Sequence, residues 1–105
     1  ARKSAEERVA SFLLLIARRL GGDERQPVIE IPMTRLDMAD YLGLTIETVS
    51  RTMTRLTNCG VIAPSSRHAM VVRKLGRLAA LAGEADAGDK DAVGSRSIQQ
   101  AVWPN

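Results

Sequence analysis

Asp37-Met38-Ala39-Asp40-Tyr41-Leu42-Gly43-Leu44-Thr45-Ile46-Glu47-Thr48-Val49-Ser50-Arg51 contains the end of one helix, a glycine turn and the start of another. Leu36 to Leu42 has helix-forming character, and Thr34 ahead of it can cap the first turn with its hydroxyl. Leu36, Ala39, Leu42 and Tyr41 are expected to turn inward. Gly43 supplies a turn position that tolerates positive φ. Thr45 repeats the capping device, and Val49, Met53 and Leu56 then recur at i, i+4 and i+7, which places them on one buried face. The opposite face of this second helix, about residues 46–59, is thereby fixed as Ile46, Glu47, Ser50, Arg51 and Thr54. Two helices joined by so short a turn form a helix-turn-helix, whose second helix can enter a major groove.

On the N-terminal side, Ser4-Ala5-Glu6-Glu7 has the pattern of a capping box. Val9, Phe12, Leu13, Ile16 and Leu20 follow on one helical face until Gly21-Gly22, which predicts a helix from about Ala5 to Leu20. Leu14 and Leu15 lie off that stripe, so a second side of the helix is covered, either within the domain or by a neighbour. Asp23 to Pro27 reads as a loop, and Val28-Ile29-Glu30-Ile31, closed by Pro32, as a short edge strand.

On the C-terminal side, Asn58-Cys59-Gly60 ends the second motif helix. Val61-Ile62 and Arg67 to Val72 read as strands joined through Ala63-Pro64-Ser65-Ser66, a small β-hairpin or wing able to touch backbone phosphate. Lys74 to Ala82, with Leu75, Leu78 and Leu81, predicts a short last helix. The expected architecture is mainly α with a small β-wing, a domain over residues 1–82 and a flexible tail over 83–105. Within the tail, Trp103 either docks back onto the domain or idles.

The chain has 105 residues, enough for one small domain, and its start without methionine looks cut from something longer. No apolar run approaches the roughly 20 residues that would cross a membrane. One cysteine and one histidine give neither an internal disulfide nor a structural zinc site from this chain alone, so no cofactor is expected in the domain and a cytoplasmic setting fits. The net charge of +3 conceals an asymmetry: residues 1–82 carry thirteen Lys/Arg against eight Asp/Glu, an excess that suits a polyanionic partner. No Ser/His/Asp set, phosphate-binding glycine loop or metal cluster supports an enzyme.

The exposed face of the second motif helix carries the chemistry. The planar fork of Arg51 matches the O6 and N7 acceptors of guanine, and Glu47 can accept from the N4 amino group of cytosine. One turn separates them, about 6 Å along the axis, so they can address neighbouring base pairs. Ser50 can adapt to either kind of edge. The same two residues can instead form an ordinary i, i+4 ion pair on a solvated helix, or pair first and read afterwards. Thr34, Arg35, Thr45 and Arg55 stand where phosphate oxygens would approach, as do Ser65, Ser66, Arg67 and His68 on the wing. Cys59 is either a small buried or half-buried residue or a thiol able to sense oxidants.

Ile31-Pro32-Met33-Thr34-Arg35, Asp37 to Thr45 and Glu47-Thr48-Val49-Ser50-Arg51 closely resemble the C-terminal DNA-binding domain of the CRP/FNR transcription regulators, a likeness that spans about residues 5–75. The resemblance implies a winged helix-turn-helix that binds a palindromic site as a homodimer, with an N-terminal sensory domain and a dimerisation helix outside these residues. It implies base contacts from Glu47, Ser50 and Arg51, and phosphate contacts from Thr34, Thr45 and the wing near Ser65. Ile46 stands where cyclic-AMP receptors carry arginine and the FNR and FixK branches an apolar residue, which implies the latter branch and a TTGAT-type half-site. Leu36 departs from a common glutamine, so the backbone contact made there does not carry over. The expected base-reading set is thus Ile46, Glu47, Ser50 and Arg51, and the backbone set Thr34, Arg35, Thr45, Thr48, Arg55, Ser65 and Arg67. Double-stranded DNA, a second copy and RNA polymerase are the implied partners of an activator. A winged helix that binds protein rather than DNA is the alternative.

Overall fold

Within residues 3–22 and 25–84, which the computed structural model describes, the order is α1 (Ala5–Leu20), β1 (Val28–Glu30), α2 (Arg35–Leu42), α3 (Ile46–Asn58), β2 (Ile62–Pro64), β3 (Ala69–Val72) and α4 (Leu75–Leu81). The capping box at α1 is complete: Ser4 Oγ accepts from the Glu7 amide at 3.1 Å and Glu7 Oε1 from the Ser4 amide at 2.7 Å. Val9, Phe12, Leu13, Leu14 and Ile16 are all buried. Since α1 packs on α4, α3 and β1, Leu14 is covered within the domain. Leu20, expected on the inner stripe, is exposed at the last residue of the helix, while the following Gly21 is buried against Pro27.

Thr34 caps α2 by accepting from the Asp37 amide at 3.0 Å, and Gly43 closes the helix at φ +72°, a conformation costly for any residue with a Cβ. The inward face of α2 corrects the expectation from sequence. Met38 and Ala39 are buried, whereas Leu36 is 55% and Tyr41 67% exposed. This eight-residue helix carries apolar side chains around its whole girth, so its own pattern selects no face, and packing against α3 does. Tyr41 lies instead over the edge of the core, its ring 5.6 Å from that of Phe12.

The wing is larger than a hairpin. Its three antiparallel strands lie in the order β1-β3-β2, with Ile29 opposite Met70 and Ile62 opposite Val72. Ala63 and Pro64, expected in the connection, belong to β2, while Arg67 and His68, expected in a strand, form the turn. The reason is that β2 is an edge, where the missing amide of Pro64 leaves no ladder bond unmade. The Ser65 and Ser66 amides then close the turn on Ala69 O, at 3.0 and 3.2 Å. β1 is the opposite edge, as expected, with Ile29 buried and Val28 exposed.

α4 folds back on α1, burying Leu78 and Ala79. Its end is tied down by Ser11 Oγ donating to Ala82 O at 3.3 Å and by a two-pronged Arg18–Glu84 bridge at 2.7 and 2.8 Å. Of the tail expected over residues 83–105, Gly83 and Glu84 are instead held to the domain, their amides donating to Ala80 O and Ala79 O at 3.0 and 3.1 Å; residues 85–105 and the placement of Trp103 lie outside the described residues. Among the described residues no helix is long and apolar enough to cross a membrane.

Candidate nucleic-acid interface

The start of α3 is fixed by two threonines. Thr45 Oγ1 accepts from the Thr48 amide at 3.1 Å and donates to Thr48 Oγ1 at 2.9 Å. The Thr45 cap therefore sets where α3 begins, and Thr45→Ala should cost about 1 kcal/mol of stability, measurable by urea unfolding. An unchanged midpoint would mean that water replaces the hydroxyl without loss.

From this start the helix turns Val49, Thr52, Met53 and Leu56 into the core. Buried Thr52 is satisfied by its own helix, its hydroxyl donating to Thr48 O at 2.8 Å. Geometry then forces Glu47, Arg51, Thr54 and Asn58 onto the opposite face, all exposed, at spacings of four, three and four. Ile46, 39% exposed, and half-buried Ser50 flank that stripe on one side. Glu47 and Arg51 form no ion pair with each other, and among the described residues neither side chain has a hydrogen-bond partner. The carboxylate and the guanidinium are thus free to bind elsewhere.

Arg55 occupies the other flank, and its Nη1 lies 3.7 Å from Glu6 Oε2 in the first turn of α1. In the sequence Glu6 is only the residue before the capping acid Glu7, and nothing local indicates a partner forty-nine positions away. A cleft of about 480 Å³ separates α3 from the wing. Thr34 and Arg35 border it at the start of α2, Thr54 and Asn58 on α3, and Ser66, Arg67 and His68 on the wing turn. Its floor is apolar, and all four methionines of the chain line it. Ser65 is exposed on the wing but does not border the cleft, while Thr45 and Thr48 sit at the far end of α3. Asn58 and Thr54 were not singled out as cleft residues from sequence; their i, i+4 spacing was the available signal.

Cys59 is exposed at the C-cap of α3, which overturns its reading as a buried or half-buried residue. It falls after Leu56, the last core position of the helix, just as the chain turns through Gly60 at φ +77°.

A capped helix pair joined by a glycine turn, with a polar helix face beside a β-wing, defines a winged helix-turn-helix domain. Residues 7–81 match the family described as the Crp-like helix-turn-helix domain. The chain belongs to that family, the helix-turn-helix domain of the CRP/FNR regulators. It is 55% identical over 73 residues to the nitrogen fixation regulation protein FixK of Azorhizobium caulinodans, covering 67% of this chain and 29% of that protein. It is 43% identical over 88 residues to the transcriptional activator protein FnrL of Cereibacter sphaeroides, covering 79% of this chain and 36% of that protein. The structure of FixK2 from Bradyrhizobium japonicum superposes with a TM-score of 0.71 at 43% identity, over 82% of this chain and 42% of that one. The chain thus spans about a third of the length of these two curated relatives, 29% and 36%. These relatives are transcription regulators rather than enzymes.

Proposed function

We propose that this chain is the sequence-reading domain of a bacterial transcription regulator, with α3 lying in the major groove. The observation that carries the proposal is the placement of Glu47 and Arg51 one turn apart on a solvent-facing stripe, with no partner for either among the described residues. Ile46, Glu47, Ser50 and Arg51 face base edges, with Ile46 against a thymine methyl. Thr34, Arg35, Thr45, Thr48, Ser65 and Arg67 meet phosphate oxygens, and Arg55 stands on the flank beside Glu6. The cleft between α3 and the wing has a polar, basic border that suits one sugar-phosphate ridge.

The preferred half-site is TTGAT-like. Two copies, joined through a region outside these residues, read half-sites about 34 Å apart as a cytoplasmic homodimer that recruits RNA polymerase as an activator. The isolated domain then binds weakly and with steep salt dependence, because counterion release supplies much of its affinity. Selection from random duplexes at low salt tests this: enrichment of TTGAT-type half-sites is expected. No enrichment, together with affinity indifferent to salt, would point to a protein-binding winged helix instead.

A further inference from the structure

Arg55 is the next cation along α3 after Arg51, one turn further and rotated by about 40° around the axis. Its contact with Glu6 spans 3.7 Å, and the side chains are 55% and 32% exposed. That distance exceeds a hydrogen bond, so the attraction is Coulombic and undirected. Arg8, also near the start of α1, donates from Nη1 to Leu42 O at 3.2 Å, at the end of α2. The first turns of α1 therefore touch both helices of the motif, one through a backbone carbonyl and the other through a charge. The carbonyl contact fixes geometry. The charge contact competes for a side chain that stands beside the DNA-reading stripe.

We propose that Glu6 is a positioning residue for DNA binding, holding Arg55 against α1 and so withholding one phosphate contact from the interface. The inference rests on the DNA-reading function given above. Glu6 neutralises Arg55 locally and draws it away from the face on which Arg51 stands. An exposed pair of this kind changes an equilibrium constant by no more than about fivefold, so it restrains the arginine without locking it. Glu6→Gln keeps the shape and helix propensity of the residue while removing the charge that restrains Arg55.

Binding of a cognate duplex is measured over a salt series for the unaltered chain, Glu6→Gln, Arg55→Ala and the double variant. Glu6→Gln is expected to tighten binding by roughly two- to fivefold at 0.1 M salt and to steepen the log–log salt slope by up to about 0.9, the most that one added phosphate contact contributes. In the Arg55→Ala background the same change should leave affinity and slope where they were. Equal tightening in both backgrounds, or none in the first, overturns the inference while leaving the DNA reading in place. Absence of salt-dependent binding by the unaltered chain removes both. The slope is a measure that altered stability alone does not move.

Discussion

Arg51→Ala is expected to weaken binding to a cognate half-site by about 1–3 kcal/mol and to relax preference at a single G·C pair. Arg51 is exposed on α3 and has no side-chain partner among the described residues, so its removal breaks nothing inside the fold. Stability should therefore stay within about 0.5 kcal/mol of the parent, as for surface substitutions generally. Arg51→Lys separates charge from shape, since an ammonium meets phosphate but cannot present the planar fork that guanine requires. Competition binding with that base pair varied is the measurement. A uniform loss on every sequence would place Arg51 on the backbone instead of a base edge.

Leu13→Ala acts on the other side of the molecule. Leu13 is fully buried at the centre of α1, which packs on α3, α4 and β1 together. Truncation removes hydrophobic burial and leaves a cavity that only partly collapses, at a cost of about 2–5 kcal/mol. Against a total of about 5–15 kcal/mol for a domain, that is a large fraction. At about 4–8 °C per kcal/mol for a domain of this size, melting should fall by roughly 10 °C or more. Thermal unfolding checks it, and a loss below about 1 kcal/mol would mean that the neighbouring helices close over the gap.

What sequence made visible was what depends on neighbours along the chain. Ser4, Thr34 and Thr45 cap the helices they precede, and Gly43 turns the chain, because each acts within three or four residues. The solvent face of α3 followed from the strict period of Val49, Met53 and Leu56. The inner face of α2 did not follow, because Leu36, Met38 and Tyr41 point in different directions and only contact with α3 and α1 decides among them. The pairing of β1 with β3 and of Glu6 with Arg55 joins residues about forty or more positions apart, beyond any local pattern. The turn of the wing was shifted because Pro64 reads as a loop residue until an unpaired edge is available to hold it. For the interface, the residues of the helix face were legible, whereas the cleft that joins Asn58 to Arg67 exists only once the wing is folded.

Because β1 precedes the two motif helices and β3 follows them, their antiparallel register, Val28 opposite Val71 through Glu30 opposite Ala69, shuts the intervening chain into a loop. The amide of Val72 fastens the same closure to Pro27 O at 2.8 Å. A fragment beginning at Pro32 would keep both helices yet lose this clasp, leaving the central strand of the wing with a bare edge. The smallest portable unit is therefore wider than the motif itself: grafting the helix pair into another scaffold means carrying along a strand that belongs to neither helix.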